Sequence, residues 1–434
     1  MILSRLRSIF SQTQEDPKVQ FGRSTSASPD VQIYGDWVKA VSYFENENYL
    51  ESYKSLLSFL KVGNPSVSFS ENENRIQFSL LQGSKIIFGY GTRKKFVAYA
   101  QIVLVRSLPY QVGRDLLEAN FDLRFCSFGL DAQRCIVLQF QTMAEDGSPY
   151  KIFEALEELA LEADRQDDIL SGYYPDIESI NTYHTQKNSS EISKIKFEFL
   201  QLKLTDLQRT LGVTEVLKER YPGAMSYVLL DFVYSVDYLI KPEGRLMEQF
   251  YSFHDLFFYN NTINVTDKNA LILQSILELK DIKFSNFRKE LYESQSSFQS
   301  IERDSTLNII DLIEAQQKDL DWYSENNYLL ISHAICGYII GFALYALALK
   351  PTEISILQIY YKVLYQKYFT SLGYQCLFFD ANNKFKVKQV RRYIKKTCEQ
   401  SGGAISLQVK KLKSENLEDF PVEFIQMLRT LKSH

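Results

Sequence analysis

RIQFSLLQGSKIIFGYGTRKKFVAYAQIVLV, residues 75 to 105, decides the fold class of the N-terminal third. Three runs rich in β-branched and aromatic residues, Arg75 to Leu81, Ser84 to Tyr90 and Lys94 to Val105, are separated by Gln-Gly and Gly-Thr-Arg turn signals. That pattern predicts three antiparallel strands in a meander. The glycines of FGYGTRKK (Phe88 to Lys95) superficially suggest a phosphate cradle, but the segment joins two strands and lacks the G-x-x-x-x-G-K-[ST] pattern. A hairpin turn is the expected reading.

Upstream, DWVKAVSYFENENYLESYKSLLSFLK (Asp36 to Lys61) spaces its apolar residues three and four apart, which predicts a helix. A break at Asn46 to Asn48 marks it as one bent helix or a short helical pair. Downstream, a helix is expected from Pro109 to Ala119, then a second hairpin from FDLRFCSFGL and RCIVLQFQTM. SPYKIFEALEELALEADRQDDIL follows, with Ser148 as cap, Pro149 in the first turn and Phe153, Leu156, Leu159 and Ala160 on one face. Residues 35 to 172 therefore read as one α+β unit: helix, three strands, helix, two strands, helix.

This element order, the phrase LLEANFDLRFCSFGLDAQRCIVLQF (Leu116 to Phe140) and the acidic end of the last helix after Ala163 resemble the YbjN-like domains and the class I type III secretion chaperones of the Tir-chaperone type. The resemblance covers about 135 residues. It implies a non-enzymatic, often dimeric module from a bacterial cytoplasm, whose apolar surfaces hold an unfolded or extended protein partner. Chaperones of that class are small and free-standing, whereas this module continues into a long second region.

Before the module, residues 1 to 34 read as a flexible arm, and MILSRLRSIFSQ as a loose amphipathic segment without a secretory cleavage site. After it, the polar stretch from Asp176 to Ser190 reads as a linker. Residues 190 to 372 then show helical periodicity in segment after segment, which predicts a mainly α-helical domain. Within it, residues 326 to 349 carry no formal charge, are long enough to cross a bilayer, and place Gly337 and Gly341 four apart. A buried core helix is the expectation and a membrane helix the alternative; no second candidate span is expected. Residues 373 to 434 read as a small basic α+β tail, with strands at CLFFD and AISLQVKKL flanking a helix, KQVRRYIKKTCEQ.

Composition fits a folded, non-disordered protein of two or three domains: 434 residues, 45% hydrophobic, 24% charged, net charge −4. Five widely spaced cysteines (Cys126, Cys135, Cys336, Cys376, Cys398) contain no Cys-x-x-Cys pair, which points to a reducing compartment rather than a disulfide framework. The histidines His184, His254, His333 and His434 are isolated, and no metal, cofactor or nucleophile motif assembles. His254 beside Asp255 reads as a core or surface histidine, because adjacent helical residues diverge. The acidic run Glu157, Glu158, Glu162, Asp164, Asp167 and Asp168 reads as a solvated helix face.

The strongest electrostatic feature is the stretch Lys384 to Lys413, where ten Lys or Arg residues meet one acid, Glu399, for a local charge of +9. Its candidate contact residues are Lys384, Lys386, Lys388, Arg391, Arg392, Lys395 and Lys396. Tyr393 and Phe385 are interleaved, but no nucleic-acid motif accompanies them, so a plain basic surface is expected, with docking of an acidic protein or of another part of the chain as the first alternative and nucleic acid or lipid as the second. The reading is a protein-binding adaptor or chaperone-like protein without a cofactor, and the alternative is a membrane-associated protein anchored through residues 326 to 349.

Overall fold

The computed structural model describes residues 17, 19–23, 31–62, 64–174, 177–213, 221–298, 304–375, 377–400 and 405–433. The N-terminal unit is α+β. Helices α1 (Val31–Glu45) and α2 (Tyr49–Lys61) are a pair, broken where Glu47 turns the chain with positive φ. Strands β1 (Val67–Asn72), β2 (Arg75–Gly83), β3 (Lys85–Thr92) and β4 (Lys95–Val105) follow, then α3 (Tyr110–Asp122), β5 (Ser127–Leu130), β6 (Cys135–Met143) and α4 (Pro149–Tyr173). The sheet runs β1-β2-β3-β4-β6-β5 with antiparallel neighbours.

Strand β1 goes beyond the sequence reading, because VSFSEN carries polar residues at most positions. Register recruits it: Val67 faces Leu80, Phe69 faces Phe78, and the Ser68 and Ser79 hydroxyls meet at 2.8 Å. Alternation places Ile76, Phe78, Leu80, Phe96, Ala98, Leu138 and Phe140 on one buried face. Tyr53, Leu56 and Leu57 of α2 and Ile152, Leu156 and Leu159 of α4 close over it. Fully burying side chains of this size contributes about 1.5–3 kcal/mol each. Ser148 caps α4 by accepting from the Lys151 amide at 3.3 Å, with Pro149 in the first turn.

The hairpin reading of FGYGTRKK holds, and its glycines have a packing reason. A Cβ on Gly89 would lie 2.1 Å from Phe78 Cζ and 2.7 Å from the Val97 carbonyl oxygen. Because the backbone oxygen cannot step aside, Gly89→Ala is expected to cost about 3 kcal/mol. Chemical denaturation of the two proteins checks this, and a loss under 1 kcal/mol contradicts it.

The second region is mainly helical: α5 (Ser190–Val213), α6 (Pro222–Ile240), α7 (Gly244–Phe258), α8 (Val265–Glu278), a short α9 (Phe284–Phe287), α10 (Ile309–Glu325), α11 (Leu329–Ala346), α12 (Pro351–Leu364) and α13 (Gln366–Ser371). Helix α11 packs along α6 and is largely buried. Gly337 and Gly341 permit the approach: a Cβ on the first would meet Asp231 Oδ1 at 2.0 Å, and on the second Tyr234 Cβ at 2.5 Å. Contrary to the sequence reading, α6 is a second helix long and apolar enough to span a bilayer. Its acids Asp231 and Asp237 mask that character in sequence, and each meets a cation: Lys203 lies 3.7 Å from Asp231, and Arg23 lies 3.0 Å from Asp237.

Three segments tie the two regions together. Within the expected arm, residues 1–16 lie outside the described set, but residues 19–23 are pinned to the helical region. The Gly22 amide donates to the Tyr238 carbonyl at 2.8 Å, Phe21 packs on Phe369 and Tyr374, and buried Arg23 bridges Asp237 and Glu243. The expected linker is likewise built in. Strand β7 (Ile177–Ser179) pairs with β4, and β8 (Gln186–Lys187) pairs with β9 (Tyr292–Glu293). Strand β10 (Gln295–Ser296) then joins β2, and Phe298 enters the core of the sheet unit. Isolated polar segments gain these positions because their backbone groups complete unfinished strand lanes, a term that composition does not display.

At the C-terminal end, α14 (Val387–Gln400) forms as expected and α15 (Phe420–Leu428) follows, but among the described residues the two expected strands are nearly absent. CLFFD contributes a single bridge between Phe379 and Phe385. AISLQVKKL yields only β11 (Ile405–Ser406), paired with β12 (Lys432–Ser433), and then a 3-10 turn at Val409–Lys411. Val409 and Leu412 are buried three apart, a turn-like period incompatible with a strand.

Candidate protein-docking and charged surfaces

Helix α3 is held by little: its buried residues are Val112 and Leu116. On its other side Tyr110, Leu117 and Phe121 are 85%, 67% and 90% exposed. Spacings of seven and four align these three on one helical face. Leu108 precedes the stripe, and Leu130 on β5, which packs beside α3, is also exposed. Asp115, Glu118 and Asp122 flank it, with Arg114 paired to Glu118 at 2.8 Å. The outer face of the sheet is mixed: Tyr99 on β4 lies between Gln139 on β6 and the ring of Phe88 on β3.

The free edge of β5 is partly sealed. The Phe128 amide donates to Asn120 Oδ1 at 2.7 Å, and the preceding Cys126 amide donates to Glu158 Oε2 at 2.9 Å. Such side-chain capping blunts an edge against strand addition. Apolar exposure on α3, rather than free backbone on β5, is what this end of the sheet offers a partner.

The acidic helix departs from the solvated-face reading. Glu158 gathers the amides of Arg124, Phe125 and Cys126, while Asp164, Asp167 and Asp168 are buried where α4 meets the helical region. Asp164 accepts from the Ser84 amide at 2.7 Å. Buried Lys85 lies 2.9 Å from Asp167 and donates to the Ile102 and Ile180 carbonyls and Ser179 Oγ. Burial, with Glu243 and Asp167 nearby and despite the Ser84 amide, pushes Asp164 up to about 7. Burial and the neighbouring acids Asp164, Asp167, Glu243 and Glu290 push Asp168 well up too. Across this junction Arg165 reaches Glu248 on α7 at 3.1 Å.

A cleft of about 350 Å³ opens between α5, α6, α11 and α12. Lys203 donates to the Tyr365 hydroxyl at 2.8 Å and faces Asp231. Burial pulls Lys203 down, but Asp231 and Tyr365 outweigh it and hold it above the ordinary lysine value. Burial pulls His333, at the same cleft, down. His254 is a core histidine: the Tyr234 hydroxyl meets Nδ1 at 2.7 Å, and burial pushes its pKa down to about 4. Among the described residues, no group of three or more His, Cys, Asp or Glu is placed to hold a metal ion. The thiols of Cys126, Cys135, Cys336 and Cys398 are pushed up by burial, and Cys376 lies outside the described residues.

The sequence-read basic residues do come together. Helix α14 buries Val387, Val390 and Ile394 and turns Lys388, Arg392, Lys395 and Lys396 outward. Lys384 is exposed just before it, while Lys386 is engaged by Asp380 at 2.8 Å. Arg391 is diverted inward, its Nε donating to the Leu412 carbonyl at 2.5 Å. The interleaved aromatics are absorbed by packing: Phe385 is buried, and Tyr393 lies edge-on to Phe378. Sequence missed the α3 stripe, because Tyr110, Leu117 and Phe121 follow the same helical spacing as core residues. Only the position of the sheet tells which apolar face of that helix is covered.

No protein-family model matches this sequence, and no curated protein shows significant similarity to it.

Proposed function

We propose that the chain is a non-enzymatic protein-binding adaptor that holds a partner segment against α3. The carrying observation is the aligned, exposed stripe Tyr110, Leu117 and Phe121. Aromatic and aliphatic anchors of this kind supply most of the binding energy at protein interfaces. Two anchors one turn apart, with a third two turns away, suit an amphipathic segment. Asp115, Glu118 and Asp122 favour basic residues at its margin.

A photo-cross-linking residue at position 117 of the full chain, activated in cells, tests this. One discrete adduct is expected, absent when the label sits at exposed Lys318 on α10. Tyr110→Ser with Phe121→Ser is expected to weaken the identified complex by at least 30-fold, corresponding to about 2 kcal/mol or more at anchor residues. Fold stability should change little, since exposed positions contribute weakly. Equal labelling from both positions, or unchanged affinity, overturns the proposal.

A second reading, membrane association through residues 326–349, is favoured by the apolar length of α11 and α6. Their burial against each other and against neighbouring helices supports core helices instead, since a lipid-facing span exposes its apolar surface. Release of the chain into the soluble fraction without detergent would eliminate the anchored reading.

A further inference from the structure

We propose that the basic face of α14, together with the turn at Val409–Lys411, docks on the phosphate backbone of duplex nucleic acid without reading its sequence. Lys388, Arg392, Lys395 and Lys396 project from one side of α14 at spacings of four, three and one. Arg391, bonded to the Leu412 carbonyl, ties the helix to the segment that carries exposed Lys410, Lys411 and Lys413. The surface is therefore assembled from two chain segments, with Lys384 at its margin. The acids next to it are Glu399 on α14, Asp380 against Lys386, Glu423, whose carboxylate accepts from the Lys413 amide at 2.6 Å, and Glu415, Glu418 and Asp419 beyond the turn. Among the described residues, Lys386–Asp380 is the ion pair formed by this stretch, which leaves the outward cations available.

The character of the surface selects among anionic partners. Single-stranded nucleic acid is held by aromatic side chains on which bases stack, and here Phe385 and Tyr393 are packed inward. Membrane-surface helices insert apolar or aromatic residues beside their cations, and here Val387, Val390 and Ile394 face the core. Protein interfaces are depleted in lysine at their centres, and this face is chiefly lysine. A regular polyanion that needs only neutralisation remains. Lys388 and Lys395 are separated by about 10 Å along the helix at about 1.5 Å per residue, roughly the axial length of three phosphates along one strand.

The test uses the full chain and a labelled 20-base-pair duplex of arbitrary sequence, with affinity read by fluorescence anisotropy across salt concentrations. About five neutralised phosphates give a log–log slope near −4.5, so affinity should fall roughly 500-fold between about 50 and 200 mM salt. Lys388→Gln, Lys395→Gln and Lys396→Gln combined should lower the slope to about −2, and the same three changed to Glu should abolish binding. A control set, Lys187→Gln, Lys280→Gln and Lys318→Gln, should leave both quantities unchanged. Single strands of the same length, phosphatidylserine vesicles and polyglutamate are the competing probes. No duplex binding at 50 mM salt, a slope indifferent to the triple substitution, or tighter binding to any competing probe overturns the proposal.

Discussion

Replacing Lys85 by methionine should lower the stability of the protein by about 3–5 kcal/mol, the cost of stranding a buried charge partner. Lys85 is completely buried, and its ammonium lies against Asp167, Ser179 and the carbonyls of Ile102 and Ile180. Methionine fills a similar volume but supplies no donor, so the buried Asp167 carboxyl would be left without its cationic partner. The Ser84 hydroxyl, 2.6 Å from Asp167 Oδ2, remains but cannot replace a full charge. Urea unfolding measures the loss. Lys85→Met with Asp167→Leu removes both charges and should recover more than half of it, since apolar replacement of a buried pair is often near neutral. A loss below 1 kcal/mol would show that the site is wetter than its geometry implies.

Asp164 should make stability fall as the pH rises from about 4 to 7, against His254, whose depressed value on folding contributes the opposite slope below its ordinary range. Asp164 moves from 3.8 to about 7 on folding, and Asp168 is raised in the same direction. Between the unfolded and folded values, the folded chain holds protons that the unfolded chain has released. Raising the pH through that window therefore favours unfolding, the reverse of an acid in a favourable salt bridge. Asp164→Asn keeps an oxygen for the Ser84 amide and has no charge to lose, so it should remove this falling contribution. Denaturation midpoints at several pH values check both statements. A wild-type stability that does not fall relative to that of Asp164→Asn between about pH 4 and 7 is incompatible with this account.

The junction responsible for both effects shows how far sequence reading reaches. Composition and spacing placed the acids of α4 on a helix, but a solvated acidic face and a buried one have the same periodicity. What distinguishes them is Lys85, on β3 and far away in sequence, together with the helical region whose α7 packs along α4. The basic stretch was legible because ten cations in thirty residues need no tertiary context to be counted. Which of them face outward was not legible: Lys386 and Arg391 are engaged by Asp380 and by the Leu412 carbonyl, partners outside α14.

By itself the sequence determined the α+β character of the first unit, the helical character of the second, the hairpin at FGYGTRKK and the cap of α4. Each depends on residues within one or two turns of each other, where steric and hydrogen-bonding preferences act locally. Tertiary structure decided that β1, β7 and β10 complete the sheet, that residues 19–23 lock onto α6, and that three aspartates are buried. It also decided that Tyr110, Leu117 and Phe121 are left outside. Burial is settled by which surface arrives from elsewhere in the chain, and neither periodicity nor composition carries that information.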